Sequence, residues 1–237
     1  MTRPDSEGSP GVPIVVPDFP ADDDFPPWTR DEDLIAASAR AACPCVRVSP
    51  CETVEVIIGR GGRAELELDL DAIGGDGVPV YRRRGGGCAV VLDPGNLIVS
   101  VAAPMAGVGG VTSAFRAFTE WLTEGLASAG APGVTGDGVS DLVLDDRKVG
   151  GSCIYRTRGL VYYSTTLLAE PDLELVARYL PHPPREPVYR CGRDHRAFMG
   201  RLPAAAEAGF AGRLETILAA TVPEPSPAAP ADHSARS

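Results

Sequence analysis

The sequence is almost without lysine. It contains 21 arginines and a single lysine, Lys148. The guanidinium of arginine is a broad planar fork, whereas the ammonium of lysine is a compact point charge on a flexible stem. A pocket that needs one small cation against a phosphate or carbonyl oxygen cannot easily accept the fork. Lys148 is therefore predicted to lie in a functional site, the alternative being a lone lysine that escaped a compositional drift toward arginine.

Excess positive charge and long apolar stretches are also missing. The formal net charge is −10 and the isoelectric point is about 4.8, which argues against sequence-independent binding to nucleic acid. No apolar run approaches the ~18 residues of a membrane span. The N-terminus lacks the charged-then-apolar order of a secretory signal. We therefore expect a cytoplasmic protein with no nucleic-acid and no membrane partner.

Cysteine and histidine occur without the spacing of a metal site. The six cysteines are better explained as reduced thiols than as three disulfides. Cys43, Cys45 and Cys51 lie close in sequence, but no fourth cysteine or histidine is near and the spacing is poor for zinc. His182 and His195 lie in a Pro- and Arg-rich segment, where surface placement is expected rather than general-base chemistry. No metal-ligating residue is predicted.

Both ends of the chain have a composition that cannot bury enough apolar surface to offset the entropy of ordering. Residues 1–27 are rich in Pro, Asp, Gly and Ser, and residues 221–237 are rich in Pro and Ala. We predict a disordered arm, one folded domain over residues 28–220, and a disordered tail.

Strand patterns gather in the middle of this domain and helix patterns flank it. Helices are predicted over 28–42, 112–129, 171–180 and 215–220, and residues 64–73 favour helix weakly. Thr112 or Ser113 is the expected cap of the second helix. Residues 96–103 are nearly all apolar and predict a strand that is buried on both faces. Further strands are predicted over 45–49, 53–59, 79–84, 88–92, 139–146, 147–156 and 160–168. This order indicates an α+β fold with a central, largely antiparallel or mixed sheet flanked by helices.

A glycine-rich turn follows three arginines in the sequence RRRGGGCAVVLD, residues 82–93. Successive glycines can adopt positive φ and bring backbone N–H groups close to an anion, and arginines can hold phosphate or carboxylate bidentately. The turn is not a Walker A loop, because no Gly-Lys-Ser/Thr follows. Nor does it open a helix, because CAVVL is predicted as a strand. An ordinary hairpin turn is an equal alternative for this stretch taken alone.

Together, two stretches resemble the lipoate–protein ligase and octanoyltransferase superfamily, which is related in fold to biotin–protein ligases. The family has an Arg-Arg pair, a Ser/Thr-Gly-Gly-Gly turn, an apolar strand and Asp-x-Gly-Asn, and this chain has RRRGGGCAVVLDPGNL. About fifty residues later the family has Asn-Asp-Leu/Ile, a turn, Lys-Ile/Val-Ser/Gly-Gly-Ser/Asn and a strand ending in His-Gly-Thr-Leu-Leu. Here that stretch is VSDLVLDDRKVGGSCIYRTRGLVYYSTTLL. The resemblance covers about residues 45–200.

The resemblance implies one catalytic domain that activates lipoate or octanoate with ATP and Mg²⁺. The acyl-adenylate then passes to a lysine of a small lipoyl-type acceptor domain, in some relatives with a separate accessory domain. Lys148 would contact the acyl carbonyl and α-phosphate oxygens, and Asp141 would lie near Mg²⁺ and the phosphates. Arg83 would hold the nucleotide or the acyl carboxylate. The residues implied to bind the adenylate through the turn and the strands are Gly86, Gly87, Cys88, Ala89, Val90 and Gly151.

This chain departs from the family pattern at several positions, and two other functions stay open. Cys88 replaces the third glycine, Gly85 the usual Ser or Thr, and Ser140 the Asn before the aspartate. Ser164-Thr165-Thr166 replaces His-Gly-Thr. One alternative is an acyltransferase that takes octanoyl from a carrier thioester by means of Cys88 or Cys153. Cys153 follows Lys148 by five residues, an odd offset that on a regular strand places the two side chains on opposite faces. The other alternative is a degenerate, non-catalytic binder of acylated domains.

Overall fold

The computed structural model describes residues 25–107, 109–157 and 159–224, so most of the predicted arm and tail lies outside the described residues. Two short 3₁₀ helices span Val188–Arg190 and Pro203–Ala206. The remaining helices and strands are, in chain order, α1 (Glu32–Ala41), β1 (Cys45–Pro50), β2 (Glu55–Ile58), α2 (Ala64–Glu67), α3 (Leu70–Asp76), β3 (Val80–Arg82), β4 (Val90–Leu92), β5 (Asn96–Met105), α4 (Val111–Ala129), β6 (Thr135–Asp137), β7 (Asp141–Leu144), β8 (Arg147–Thr157), β9 (Gly159–Leu168), α5 (Leu173–Tyr179), α6 (His195–Phe198) and α7 (Phe210–Ala220).

Six strands form the larger sheet in the order β1-β5-β9-β8-β7-β6. Every neighbouring pair is antiparallel. β5 lies inside the sheet and is buried at all positions but one, because its run of apolar residues suits a strand covered on both faces. The predicted α+β class and the predicted burial of this strand are confirmed.

Helices cover both faces of the larger sheet. α4 and α7 pack on one face and contribute Phe118, Leu122, Leu214 and Leu218 to the main core. Gly125 permits their close approach, because a Cβ there would overlap the side chain of Leu218. α1 covers the other face and packs Leu34 and Ile35 on the sheet. Within the described part of the chain, no helix combines the length and the apolarity that crossing a bilayer requires.

A second sheet of three strands, ordered β3-β2-β4, carries the glycine-rich turn. β2 pairs with β3 in parallel and with β4 antiparallel. The turn from β3 to β4 therefore crosses the end of β2 and is not a hairpin between neighbouring strands, so the hairpin alternative is wrong. α3 and α5 pack on this sheet, and Phe25 joins the same cluster, three residues before the predicted start of the domain.

Two helices begin at other residues than the sequence predicts, because an aspartate or a glycine forms the N-cap. Residues 64–73 are helical, as weakly favoured, but extended backbone at Leu68 divides them into α2 and α3. α4 begins after Gly110, whose φ is 72°. The predicted capping role of Thr112 or Ser113 is wrong, because the N-cap is this left-handed glycine and Ser113 Oγ donates to its carbonyl over 2.9 Å.

Candidate active site

The single lysine lies on β8 and forms an ion pair with a buried carboxylate. Lys148 Nζ is 2.7 Å from Asp141 Oδ1, and the two side chains are 25% and 8% exposed. Asp141 begins β7 and faces β8 in the sheet. An ion pair that is mostly withdrawn from water is screened less than a surface pair. The ammonium is therefore fixed in direction and is still reachable from solvent.

A β-bulge sets that direction. The pairing of β7 with β8 shifts so that Leu142 faces Gly150, Val143 faces Lys148, and Val149 is the extra residue. Val149 is 1% exposed and joins the main core. An extra residue in one strand re-aims the side chains on either side of it. Lys148 thereby points away from the core and toward the space beside Asp141.

The bulge brings Lys148 to the same face of β8 as Gly151 and Cys153. A Cβ on Gly151 would stand 3.2 Å from both Cε and Nζ of Lys148, so glycine leaves room for the ammonium. Cys153 lies two residues further along and shares that face. The expectation that Cys153 and Lys148 lie on opposite faces is wrong, because the inserted Val149 changes the parity of their offset.

A tyrosine 48 residues further along the chain holds the second oxygen of Asp141. Tyr189 OH donates to Asp141 Oδ2 over 2.9 Å. Burial, reinforced by the Asp141 charge, raises the pKa of Tyr189, which keeps the hydroxyl a donor. The Tyr189 ring packs on Phe198 with centroids 5.1 Å apart. Sequence analysis missed Tyr189, and no local pattern marks it.

Tyr189 belongs to a segment, residues 188–200, that we call the clamp segment. Gly200 N–H donates to the Lys148 carbonyl over 2.8 Å. Arg193 Nη2 donates to the Tyr189 carbonyl over 2.7 Å, and Arg193 Nη1 pairs with Asp146 over 3.1 Å. The clamp segment thus fixes both members of the Lys148–Asp141 pair from outside the sheet.

Arg83 organises the glycine-rich turn by bonding to backbone carbonyls. Its Nη2 donates to the carbonyls of Gly86 and Cys88, each over 2.8 Å. Its Nε donates to Gly86 over 3.2 Å and its Nη1 to Ile57 over 3.1 Å. Arg83 is 8% exposed. The buried cation is thus satisfied largely by the turn itself.

The tip of the turn presents open backbone. Gly87 has a φ of 95°, and its carbonyl lies so close to Gly59 that a Cβ on Gly59 would overlap it. Within the described part of the chain, the N–H groups of Gly86, Gly87 and Cys88 have no hydrogen-bond acceptor. Successive unpartnered N–H groups in a turn with positive φ form a concavity that attracts anions.

The predicted backbone contacts at Ala89 and Val90 already have protein partners. Glu67 is 7% exposed, and its Oε2 accepts a hydrogen bond from Ala89 N–H over 2.7 Å. Its Oε1 accepts from Arg63 N–H over 3.1 Å. Val90 pairs with Ile57 of β2. Glu67, which sequence analysis missed, therefore fixes the base of the turn.

The turn and the Lys148 ammonium face one space. A Cβ on Gly85 would stand 2.9 Å from Cys153 Sγ, so the turn lies directly on the face of β8 described above. The positive charges of Lys148 and Arg185 both act on the Cys88 thiol. The glycine-rich turn and the Lys148–Asp141 pair therefore lie over the same face of β8, and we call the region between them the opening.

Both cysteines beside this opening have a pKa above that of an ordinary thiol. Burial raises the pKa of Cys88, and the Glu67 carboxylate raises it further. Burial also raises the pKa of Cys153. Because the thiolate is the reactive form, these raised pKa values disfavour both thiols as nucleophiles.

The Asp-Pro-Gly-Asn stretch closes a structural turn between β4 and β5. Asp93 Oδ1 accepts from Gly95 N–H over 2.6 Å, and its Oδ2 accepts from Asp172 N–H over 3.1 Å. Asn96 Nδ2 donates to the Asp93 carbonyl over 3.1 Å. These bonds join the end of the small sheet to β5 and α5, so the motif positions the scaffold of the site.

A hydroxyl network lines the sheet beneath α1. Asp31 Oδ2 accepts from Ser100 Oγ and from Tyr162 OH, each over 2.6 Å. Ser164 Oγ lies 3.2 Å from Ser100 Oγ, so the position that carries histidine in the resembled family holds a buried serine here. Sequence analysis did not identify this network, because its members lie on three separate elements.

The described residues do not supply enough side-chain ligands to bind a metal ion without a further ligand. No group of three or more His, Cys, Asp or Glu side chains among them could hold one. Mg²⁺ is commonly bound by one or two carboxylates together with substrate phosphates and water. Asp141 is one such carboxylate, and because Lys148 Nζ and Tyr189 OH already occupy one position on each of its oxygens, a Mg²⁺ held there would depend on the nucleotide for most of its ligands.

Other candidate residues lie away from the opening. Cys51 is buried, and burial raises its pKa to about 12. His182 is exposed and lies 3.0 Å from Glu186. His195 is half-buried, with Nε2 3.1 Å from the Pro181 carbonyl, and it is less exposed than expected.

Comparisons with known proteins agree with this fold. A crystal structure of lipoate-protein ligase A bound with ATP aligns with 78% of this chain and 75% of its own at a TM-score of 0.62 and 23% identity. A bipartite lipoate protein ligase of an archaeal lipoylation system, from Thermoplasma acidophilum, aligns over 85% and 84% at a TM-score of 0.65 and 22% identity. These likenesses show that the fold is that of a lipoate–protein ligase catalytic domain.

Sequence comparison gives the family. The family model of the lipoyl protein ligase A/B catalytic domain matches residues 23–202, so the chain belongs to that family and the resemblance is confirmed. The lipoate–protein ligase of Streptococcus pyogenes serotype M5 (strain Manfredo) is 32% identical over 126 residues, which are 53% of this chain and 36% of that protein. The probable lipoate-protein ligase A of Mycoplasma pneumoniae (strain ATCC 29342 / M129 / Subtype 1) is 30% identical over 125 residues, 53% of this chain and again 36% of the relative. The match thus spans about a third of each curated relative.

Proposed function

We propose that the protein is an ATP-dependent ligase that attaches lipoate or octanoate to a lysine of a small lipoyl-type acceptor domain. In the first step a carboxylate oxygen of the acid attacks the α-phosphorus of ATP, and pyrophosphate leaves. In the second step the acceptor amine attacks the acyl carbonyl carbon, AMP leaves, and the amine gives up a proton.

The observations that support this proposal are the N–H groups of Gly86, Gly87 and Cys88, which have no acceptor among the described residues, and the Lys148 ammonium, whose charge reaches Cys88 of the same turn. Backbone donors and one point charge suit a phosphate beside an acyl carbonyl, where negative charge grows in both steps. Preorganised donors of this kind stabilise such charge strongly in a closed site. Asp141 holds the ammonium in direction, and Mg²⁺, when bound with ATP, would neutralise phosphate charge beside Asp141.

Arg83 and Gly151 act on the shape of the site in this proposal. Arg83 donates four hydrogen bonds to carbonyls of the turn and of β2. It therefore acts on the nucleotide mainly by fixing the position of the turn. Gly151 keeps the space that the Lys148 side chain occupies.

The carrier-dependent transferase needs a reactive thiolate, and the raised pKa values of Cys88 and Cys153 speak against it. The binder alternative gives no reason for the Lys148–Asp141 pair. The archaeal relative is described with its E2 lipoyl domain and as a two-part ligase. We extend both features to this chain as part of the proposal: a lipoyl-type acceptor, and an accessory domain supplied separately where transfer requires it.

The test is one incubation of the protein with ATP, Mg²⁺, lipoate or octanoate and a lipoyl domain, followed by the intact mass of the acceptor and by AMP and pyrophosphate release. Acylation that depends on ATP supports the ligase. Acylation from octanoyl-carrier protein without ATP would contradict the ligase proposal and favour the transferase. Binding of an acylated domain by calorimetry, without turnover in either assay, would leave only the binder.

A further inference from the structure

Two valines close to the Lys148–Asp141 pair are almost fully exposed. Val139 is 89% and Val188 is 95% exposed, whereas the other exposed large apolar side chains of the described residues lie between 40% and 47%. A single apolar side chain on a surface is ordinary. Two that are nearly free of protein contact offer the largest gain to a partner that covers them.

The two valines lie on loops that touch each other. A Cβ on Gly138 would stand 3.3 Å from Pro187 Cβ, and Val139 and Val188 are the next residues of the two loops. Gly138 has a φ of 58°, and the ring of Pro187 restricts the backbone directly before Val188. The valines therefore stand on constrained backbone, which reduces the entropy lost on binding. We call Val139 and Val188 the valine pair.

The valine pair borders the opening. Val139 lies two residues before Asp141, which is at most about 7 Å of extended chain, and Val188 directly precedes Tyr189. Tyr189 OH donates to Asp141 Oδ2 over 2.9 Å, and Asp141 Oδ1 pairs with Lys148 Nζ. A protein that covers the valine pair can therefore place a long side chain in the opening.

One cation next to the valine pair has no protein partner. Arg185 precedes Val188 by three residues and is exposed, and within the described ranges its side chain has no hydrogen bond and no ion pair. The next three arginines of the chain each pair with a carboxylate. The Arg185 charge reaches the Cys88 thiol, so this cation lies on the side of the glycine-rich turn. Because the net charge of the chain is −10, an acidic partner is attracted where such a cation stands unpaired.

We propose that the valine pair and Arg185 form the docking surface for the acceptor domain. The partner surface that fits them carries the target lysine, an apolar side chain beside it, and a carboxylate that faces Arg185. This inference rests on the proposed function, because the acceptor is the partner whose lysine must enter the opening. The valine pair and Arg185 position the acceptor and take no part in bond making.

The first test measures acyl transfer from lipoate and ATP to an E2-type lipoyl domain. In the double variant Val139→Ser with Val188→Ser, KM for the lipoyl domain should rise about tenfold while kcat changes little, because lost docking contacts weaken binding without altering the chemistry. Each transfer rate is divided by the pyrophosphate-exchange rate of the same variant, since exchange involves no acceptor. Val111→Ser removes an exposed valine at the start of α4 and should keep the wild-type KM.

The second test changes the charge. Arg185→Glu should raise KM for the lipoyl domain at least about tenfold, and added salt should narrow the difference from wild type, because it screens exposed charges. Arg116→Glu, on an exposed turn of α4, is the control and should keep the wild-type KM. A rise in KM for ATP during pyrophosphate exchange, with KM for the lipoyl domain unchanged, would assign Arg185 to the nucleotide and overturn its docking role.

An unchanged KM for the lipoyl domain in the valine double variant would overturn the inference. If the wild type supports no pyrophosphate exchange with lipoate or octanoate, the proposed function fails. In that case, and where exchange occurs without transfer, calorimetric binding of the unmodified lipoyl domain decides the docking surface. Weaker binding by the double variant than by wild type supports the inference, and equal binding, or none by the wild type, contradicts it.

Discussion

Lys148 Nζ and Asp141 Oδ1 meet at 2.7 Å because β8 carries one residue more than β7 between their facing positions. Without Val149 as the inserted residue, the lysine would point into the main core. The β-bulge thus sets the direction of the Lys148 ammonium group.

Replacement of the Lys148 ammonium by a guanidinium tests whether the site requires a compact positive charge at this position. Lys148→Arg should lower kcat/KM for acyl-adenylate formation roughly 100-fold or more, because the planar fork does not fit beside Gly151 and a misplaced donor loses its effect on developing charge. Pyrophosphate exchange measures the rate. Arg116→Lys, on an exposed turn of α4, is the control and should change nothing. Wild-type rate in Lys148→Arg would show that a point charge is not required.

Gly151 and Gly150 form a matched pair of neighbouring glycines. Gly151→Ala places a Cβ 3.2 Å from the Lys148 ammonium, at the end of a flexible side chain, so activity should fall at least about tenfold with little loss of stability. Gly150→Ala instead meets the Thr166 carbonyl at 2.9 Å and should lower the melting temperature. Pyrophosphate exchange and thermal unfolding separate the two effects. Equal melting losses in both variants would contradict this.

Tyr189→Phe removes only the donor that holds Asp141 Oδ2. We expect kcat of the first step to fall about tenfold, the size of one hydrogen bond to a charged group, while KM for ATP changes little because the charges at the site remain. Tyr179→Phe, which breaks a tyrosine–aspartate bond of the same 2.9 Å elsewhere, should leave kcat unchanged. Equal effects of the two variants would make Tyr189 merely structural.

Gly85 and Cys153 should be coupled in stability. Gly85→Ala places a Cβ 2.9 Å from Cys153 Sγ and 3.0 Å from its Cβ, and such overpacking costs about 1–3 kcal/mol. Cys153→Ala removes the sulfur and should recover part of that loss in the double variant. A denaturant-unfolding double-mutant cycle measures the coupling. Strict additivity would mean that the turn does not rest on Cys153.

The thiols should differ in their rates of alkylation near neutral pH. Exposed Cys43 and Cys191 should react with iodoacetamide before Cys51, Cys88 and Cys153, because burial raises the pKa of the last three and lowers their thiolate fraction. Peptide mass spectrometry over time gives the order. Rapid modification of Cys88 or Cys153 at neutral pH would return the thiol-dependent transferase to consideration.

Local patterns in the sequence were sufficient for the main helices and for eight of the nine described strands, and they missed β6 (Thr135–Asp137). A lone lysine and a glycine-rich turn are both local signals. The eight predicted strands contain apolar runs, whereas β6 consists of Thr, Gly and Asp and has none. The burial of β5 followed from its unbroken apolar run.

The remaining details depend on contacts that no local pattern contains. The bulge at Val149 follows from the register between β7 and β8, so a parity argument on β8 alone failed for Cys153. The Arg83 guanidinium donates to carbonyls of the turn that follows it. The position of Arg83 in the sequence does not show that its partners are backbone carbonyls. Tyr189 reaches Asp141 across 48 residues, and Glu67 reaches Ala89 across 22.

The clamp segment also orders events in time during synthesis. A ribosome makes Asp141 and Lys148 well before Tyr189 and Gly200, which hold the carboxylate and the lysine backbone. A nascent chain that has completed the larger sheet therefore lacks the contacts that aim its cation. The Lys148–Asp141 pair therefore acquires its full set of contacts only when residues up to Gly200 have been made.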